Sequence, residues 1–187
     1  MWVANTKQIR EADRIMIEDH DFPGILLMEE AARQATDRLL KLYPQQSSFL
    51  ILAGPGNNGG DGLAMARMLH LAGKEVWVLC SHPTEKYKGD AQINFQILSH
   101  LPVRIMPFSK DLALDLLGYQ PILIDALLGT GIQSDLRTPV SDILDFFREQ
   151  EVTTVAVDLP SGLNADTGML INRPLQATHT LTFQLPK

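Results

Sequence analysis

The period of the apolar positions changes near residue 44. Before it, residues 6–19 place Ile9, Ile15 and Met16 on one helical stripe, with Thr6 as N-cap ahead of Lys7, Gln8 and Ile9. Pro23 and Gly24 break that pattern, and a second helix is predicted over 25–43, closed by Pro44. Beyond Pro44, short apolar runs alternate with helical stretches, the sequence form of a parallel sheet covered on both faces. The runs predict strands at 49–53, 75–80, 103–106, 122–125, 153–158 and 178–183, with helices at 61–72, 89–100, 110–117 and 139–149. The expected fold is a three-layer α/β/α Rossmann-like domain with a mostly parallel sheet and two leading helices. No linker, repeat or low-complexity tract interrupts it, so residues 1–187 read as one domain.

In a doubly wound sheet, ligands bind outside the carboxyl ends of the strands where strand order reverses, usually between the first and fourth strands. That rule selects the loops at 54–61, 126–138 and 159–168, each rich in Gly, Asn, Asp, Ser or Thr. In the first, Gly54, Gly56 and Gly59 satisfy G-x-G-x-x-G between a strand and a helix. A conventional NAD site also needs an acid at the end of the second strand, where this chain has Cys80 and Ser81. Asn57, Asn58 and Asp61 would crowd a pyrophosphate seated in the usual way. Those side chains suit hydroxyls, an amide, or a cation held by oxygen ligands. The plainer reading gives Asp61 only a complement to the helix dipole.

Asp125 follows three apolar residues that should be buried, so its carboxylate needs a partner: a backbone amide, an Asn such as Asn58, or a cation. Alternatively it caps its own loop. Gly129, Thr130 and Gly131 then bring flexible backbone close to a ligand. Asp158, ending the fifth strand before Pro160, Ser161 and Gly162, is the best acid/base candidate, since desolvation beside another carboxylate raises a pKa. A purely structural Asp bonded to loop amides is its other reading. Asn164, Asp166 and Thr167 read as a turn.

Composition narrows the classes. Sixteen Lys and Arg against 22 Asp and Glu give a net charge of −6, and no basic cluster marks a nucleic-acid site. Neither a secretory signal nor a membrane-spanning run is present, and Cys80 is the single cysteine, so a cytoplasmic protein is expected. Cys80 itself reads as a small buried hydrophobe. Ser161 sits in Leu-Pro-Ser-Gly-Leu rather than G-x-S-x-G, and the five histidines lack metal-ligand spacing, so serine hydrolysis and zinc chemistry find no support.

Three segments, GPGNNGGDGLAMARML, IDALLGTG and VDLPSGLNADTG, together resemble the NAD(P)H-hydrate epimerases, the YjeF N-terminal domain family. Weaker echoes in LLMEEAARQA and TLTFQLPK extend the resemblance over nearly the whole chain. It implies an isomerase that interconverts the R and S epimers of hydrated NADH and NADPH (NADHX and NADPHX) in nucleotide repair, so that a stereospecific dehydratase can restore the cofactor. It implies substrate contacts at Asn57, Asn58, Gly59, Gly60 and Asp61, at Gly129, Thr130 and Gly131, and at Asp158, with Asp158 catalytic. Potassium would be held by Asn58, Asp125 and Ser161. A homodimer is implied, as is a hydrate dehydratase as functional partner, fused in many relatives. The alternative from another class is a non-catalytic scaffold of the same fold that binds RNA or protein. Three departures stand out: Glu30 replaces the common Asn of the second helix, residues 132–139 are less clearly patterned, and the family domain continues past Lys187, which suggests truncation at that end.

Overall fold

The computed structural model describes residues 3–131, 136–171 and 173–184. Six strands form one sheet in the order β3-β2-β1-β4-β5-β6, and every pairing is parallel. They are β1 (Ser48–Ala53), β2 (Glu75–Cys80), β3 (Arg104–Pro107), β4 (Ile122–Ala126), β5 (Thr154–Val157) and β6 (His179–Leu181). The helices are α1 (Thr6–Arg14), α2 (Gly24–Leu42), α3 (Asn57–Leu71), α4 (Gly89–Ser99), α5 (Lys110–Leu117) and α6 (Val140–Arg148). Strand order reverses between β1 and β4, where Leu52 pairs with Asp125 and Ala53 with Ala126.

Alternation along each strand divides the core into two layers. Phe49, Ile51 and Ala53 join Val76, Val78, Ile122, Ile124 and Val155 beneath α3, with Ala32, Ala35 and Leu39 of α2 and Ala91 and Leu98 of α4 in the same cluster. Leu50, Leu52, Trp77, Leu79 and Leu123 face the other way, against Ala113 and Leu116 of α5 and Ile143, Leu144 and Phe147 of α6. Cys80 is buried as expected, and burial pushes its thiol up.

Several boundaries differ from the sequence expectation for local reasons. The first helix is capped by Asn5 rather than Thr6: Asn5 Oδ1 accepts from the Gln8 amide and Gln8 Oε1 from the Asn5 amide, both at 2.9 Å. Thr6 is thereby released to bond elsewhere. Its carboxyl half, Ile15–Asp19, is π-helical. The sixth strand is three residues long, and the third is shifted one residue later. Most consequential, α3 begins at Asn57 instead of Asp61, with Gly56 as N-cap. Asn57, Asn58, Gly59 and Gly60 are therefore helical, and Asp61 lies past the first turn, not positioned to complement the dipole there.

Candidate active site

Close packing between the ends of β1 and β4 builds the site. A methyl on Gly54 would stand 1.8 Å from the Leu127 carbonyl oxygen, and one on Gly59 only 1.7 Å from that of Gly54. No side chain is tolerated at either position, so the first and third fingerprint glycines serve backbone approach within the protein. Gly60 packs less tightly, against the end of the Met28 side chain and the Ala91 backbone. Seating α3 this tightly carries Asn58 and Asp61 to the carboxyl edge of the sheet, both buried.

Beside them, Asp125 is fully buried at the end of β4. Its Oδ2 accepts from the Ser161 amide at 2.8 Å, and its Oδ1 from Ser161 Oγ at 2.6 Å and the Leu127 amide at 3.3 Å. Burial raises the Asp125 carboxyl above its ordinary range, and the bonds from Ser161 and Leu127 oppose that rise. Ser161 Oγ also accepts from the Leu128 amide at 2.9 Å, and Asn58 Nδ2 donates to the Leu128 carbonyl at 2.9 Å. Asn58 and Ser161 thus meet through Leu128, and Ser161 links both to Asp125. The remaining amide oxygen, Asn58 Oδ1, is buried and accepts no hydrogen bond among the described residues. A buried acceptor left in that state is costly unless a cation or a ligand donor faces it. Among the described residues no group of three or more His, Cys, Asp or Glu is arranged to hold a metal, so a cation here would depend on amide, hydroxyl and carbonyl oxygen beside at most one or two carboxylates.

Asp158 follows β5 directly with φ +64°, a left-handed conformation, and its amide donates to the Leu181 carbonyl at 2.8 Å. A methyl built on Gly129 would lie 3.3 Å from Asp158 Oδ2 and 3.4 Å from Asn58 Cβ and Cγ. The Asp158 carboxylate and the Asn58 side chain therefore approach the same point beside Gly129. A cleft of about 1490 Å³ opens over these groups, lined by Asn57, Asn58, Asp61, Gly129, Thr130, Gly131 and Asp158. Gly59 and Gly60 are buried and outside that lining, whereas Asp125 and Ser161 lie beneath it. The sequence reading missed other lining residues, among them Arg10, Met28, His82 and Arg137. His82 could have been found as a polar side chain two residues past the end of β2; the others carry no local signal. Of the less clearly patterned segment, residues 132–135 lie outside the described residues. Glu30, exposed on α2, is held down to about 2 by hydrogen bonds from Arg33 and Gln34.

The model of the family described as "YjeF-related protein N-terminus" matches residues 24–187. The chain belongs to that family. A Rhodopirellula baltica protein named NAD(P)H-hydrate epimerase is 38% identical to it over 181 residues, which span 97% of this chain and 74% of that protein. A Limosilactobacillus reuteri protein of the same name is 33% identical over 99% of this chain and 85% of its own length. The bifunctional NAD(P)H-hydrate repair enzyme of Moorella thermoacetica matches the whole chain at 34% identity with 37% of its own length. Among solved structures, yeast ynu0 superposes with a TM-score of 0.86 at 23% identity, covering 96% of this chain and 79% of that one, and so shares the family's fold. Among the described residues no helix is long and apolar enough to cross a membrane.

Proposed function

We propose that this chain is an NAD(P)H-hydrate epimerase that interconverts the R and S epimers of NADHX and NADPHX. The observation that carries the reading is the convergence, at the β1/β4 switch point, of the Asp158 carboxylate and the Asn58 side chain on the same point beside Gly129 within a cleft of dinucleotide size. The Rhodopirellula baltica and Limosilactobacillus reuteri epimerases, covered over 74% and 85% of their length, support it.

The hydrated carbon of the substrate adjoins the ring nitrogen. Protonated Asp158 gives its proton to the leaving hydroxyl as the C–O bond breaks; water departs and the nitrogen lone pair closes an iminium. Water then adds to the opposite face, and the Asp158 carboxylate takes up its proton. Asp158 is suited to this by position: its amide is fixed to β6, and its carboxylate faces the cleft beside Gly129. Asn58, Asp125 and Ser161 are the residues that would hold potassium, and they fit it through the unpartnered Asn58 Oδ1 and the buried Asp125 carboxylate. Bound there, the ion would supply a counter-charge for Asp125 and fix the Leu128 turn. The reading includes a homodimer, a cytoplasmic setting, and a hydrate dehydratase as the partner that consumes the product.

The test couples the purified protein to a dehydratase specific for the S epimer and supplies racemic hydrate. Consumption of the whole racemate is expected. Persistence of the R half at its spontaneous rate would overturn the reading and favour the scaffold alternative.

A further inference from the structure

The cleft is acidic at its floor, with Asp61 and Asp158 in the lining and Asp125 below, in a chain of net charge −6. A dinucleotide brings a pyrophosphate into it, and each buried like charge opposes binding unless a cation intervenes. The cleft is also lined by Arg10, Arg33, Arg38, Lys41 and Arg137; Arg33 is committed to Glu30 and Asp37 on its own helix, and Arg10 is set apart by its position against Gly131.

Thr6, Arg10 and Asp13 fall at i, i+4 and i+7 on α1 and share one face of that helix. The first and last of them tie the helix down. The Thr6 amide and hydroxyl donate to the Asp166 carboxylate at 2.8 and 2.5 Å, and Asp13 accepts from the Gln184 amide group. Two attachments, to the loops after β5 and β6, therefore hold the helix across the cleft with Arg10 between them. Its guanidinium Nη2 stands 4.0 Å from where a β-carbon on Gly131 would lie, at the end of the Gly129–Gly131 loop. Arg10 makes no hydrogen bond or ion pair within the described residues, and its longer-range attraction to Asp166 is weaker there than the bonds from Thr6. Helix α1 also lies ahead of residue 24, where the family match begins.

We infer that Arg10 is a substrate-binding residue: held over Gly131 by the Thr6–Asp166 and Asp13–Gln184 attachments, its guanidinium pairs with the pyrophosphate of the bound dinucleotide. The planar fork of a guanidinium matches two phosphate oxygens at once, which a hydroxyl or a lone ammonium does not. The identity of the ligand rests on the epimerase reading; the placement of Arg10 does not.

The experiment compares the wild-type chain with Arg10→Gln and Arg10→Lys by calorimetry, using ADP-ribose, which carries the pyrophosphate, and adenosine, which lacks it. Arg10→Gln is expected to weaken ADP-ribose about tenfold and flatten its salt dependence, with adenosine unchanged and Arg10→Lys intermediate. In the epimerase assay the same variant is expected to raise KM about tenfold and leave kcat within about twofold. Equal ADP-ribose affinity in wild type and Arg10→Gln overturns the inference, as does an equal loss for adenosine, the mark of a merely structural role. Arg10-dependent ADP-ribose binding without epimerisation removes the enzymatic reading and leaves Arg10 in place. Full epimerisation indifferent to Arg10 does the reverse.

Discussion

Replacing Ser161 with alanine removes one hydroxyl from the most connected point of the site. Ser161 is fully buried, and its Oγ both donates to Asp125 Oδ1 at 2.6 Å and accepts from the Leu128 amide at 2.9 Å. The variant loses a bond to a buried carboxylate, about 1.5–3 kcal/mol, and leaves the Leu128 N–H without that acceptor, about 1–3 kcal/mol. The Ser161 amide still donates to Asp125 Oδ2 at 2.8 Å, so the carboxylate keeps part of its solvation. The expected loss is about 4 kcal/mol. For a domain of this size that lowers Tm by about 8–16 °C. Urea unfolding followed by circular dichroism measures it, with Ser99→Ala as the control. Ser99 is an exposed serine whose Oγ bonds only its own helix, at the Gln96 carbonyl, and its loss should change stability by under about 0.5 kcal/mol. A Ser161→Ala loss below about 1 kcal/mol, at unchanged m-value, would refute the coupled arrangement of Asp125, Ser161 and Leu128.

Other consequences can be checked on the same footing. Because burial raises the Asp125 carboxyl in the native chain, the native state binds that proton more tightly than the unfolded state does. Stability in potassium-free buffer should therefore fall as pH rises from the ordinary carboxylate range through the native value, and Asp125→Asn should gain on wild type over that window; a pH-independent difference in urea midpoints would contradict this. Potassium should raise the wild-type Tm at constant ionic strength, with choline as the balancing cation, and have no effect on Asn58→Ala, as read by scanning calorimetry. An equal response in both proteins counts against the proposed ligand set. Gly59→Ala, whose methyl would stand 1.7 Å from the Gly54 carbonyl oxygen, should cost about 3 kcal/mol or more. Gly56→Ala, whose methyl meets nothing within 4 Å, should cost about 1 kcal/mol at most, and equal losses would remove the close-packing account.

The strands were legible because a parallel sheet covered on both faces requires near-continuous apolar runs, as in Phe49–Ala53 and Val76–Cys80. Asp125 and Asp158 were legible because polar residues directly after such runs sit at the sheet edge. The start of α3 was not. Two Asn followed by two Gly have poor helix propensity, and tertiary contacts hold them in a helix, among them those of Gly59 with Gly54, of Gly60 with Met28 and Ala91, and of Asn58 with Leu128. The reach of α1 was hidden for a different reason. Thr6 meets Asp166 across 160 positions, and nothing in the local pattern marks a pairing that only the folded sheet brings together. A single sequence equally conceals that Asn5, rather than Thr6, caps α1, since both residue types are good caps.

The fate of one purified epimer tests the role of Asp158 most directly. Chromatography of R-NADHX incubated with the wild-type chain should show conversion to an equilibrium mixture of both epimers far above the spontaneous rate, and Asp158→Asn should slow that conversion by about 100-fold or more. Wild-type conversion at the spontaneous rate, or near-native conversion by Asp158→Asn, would contradict it.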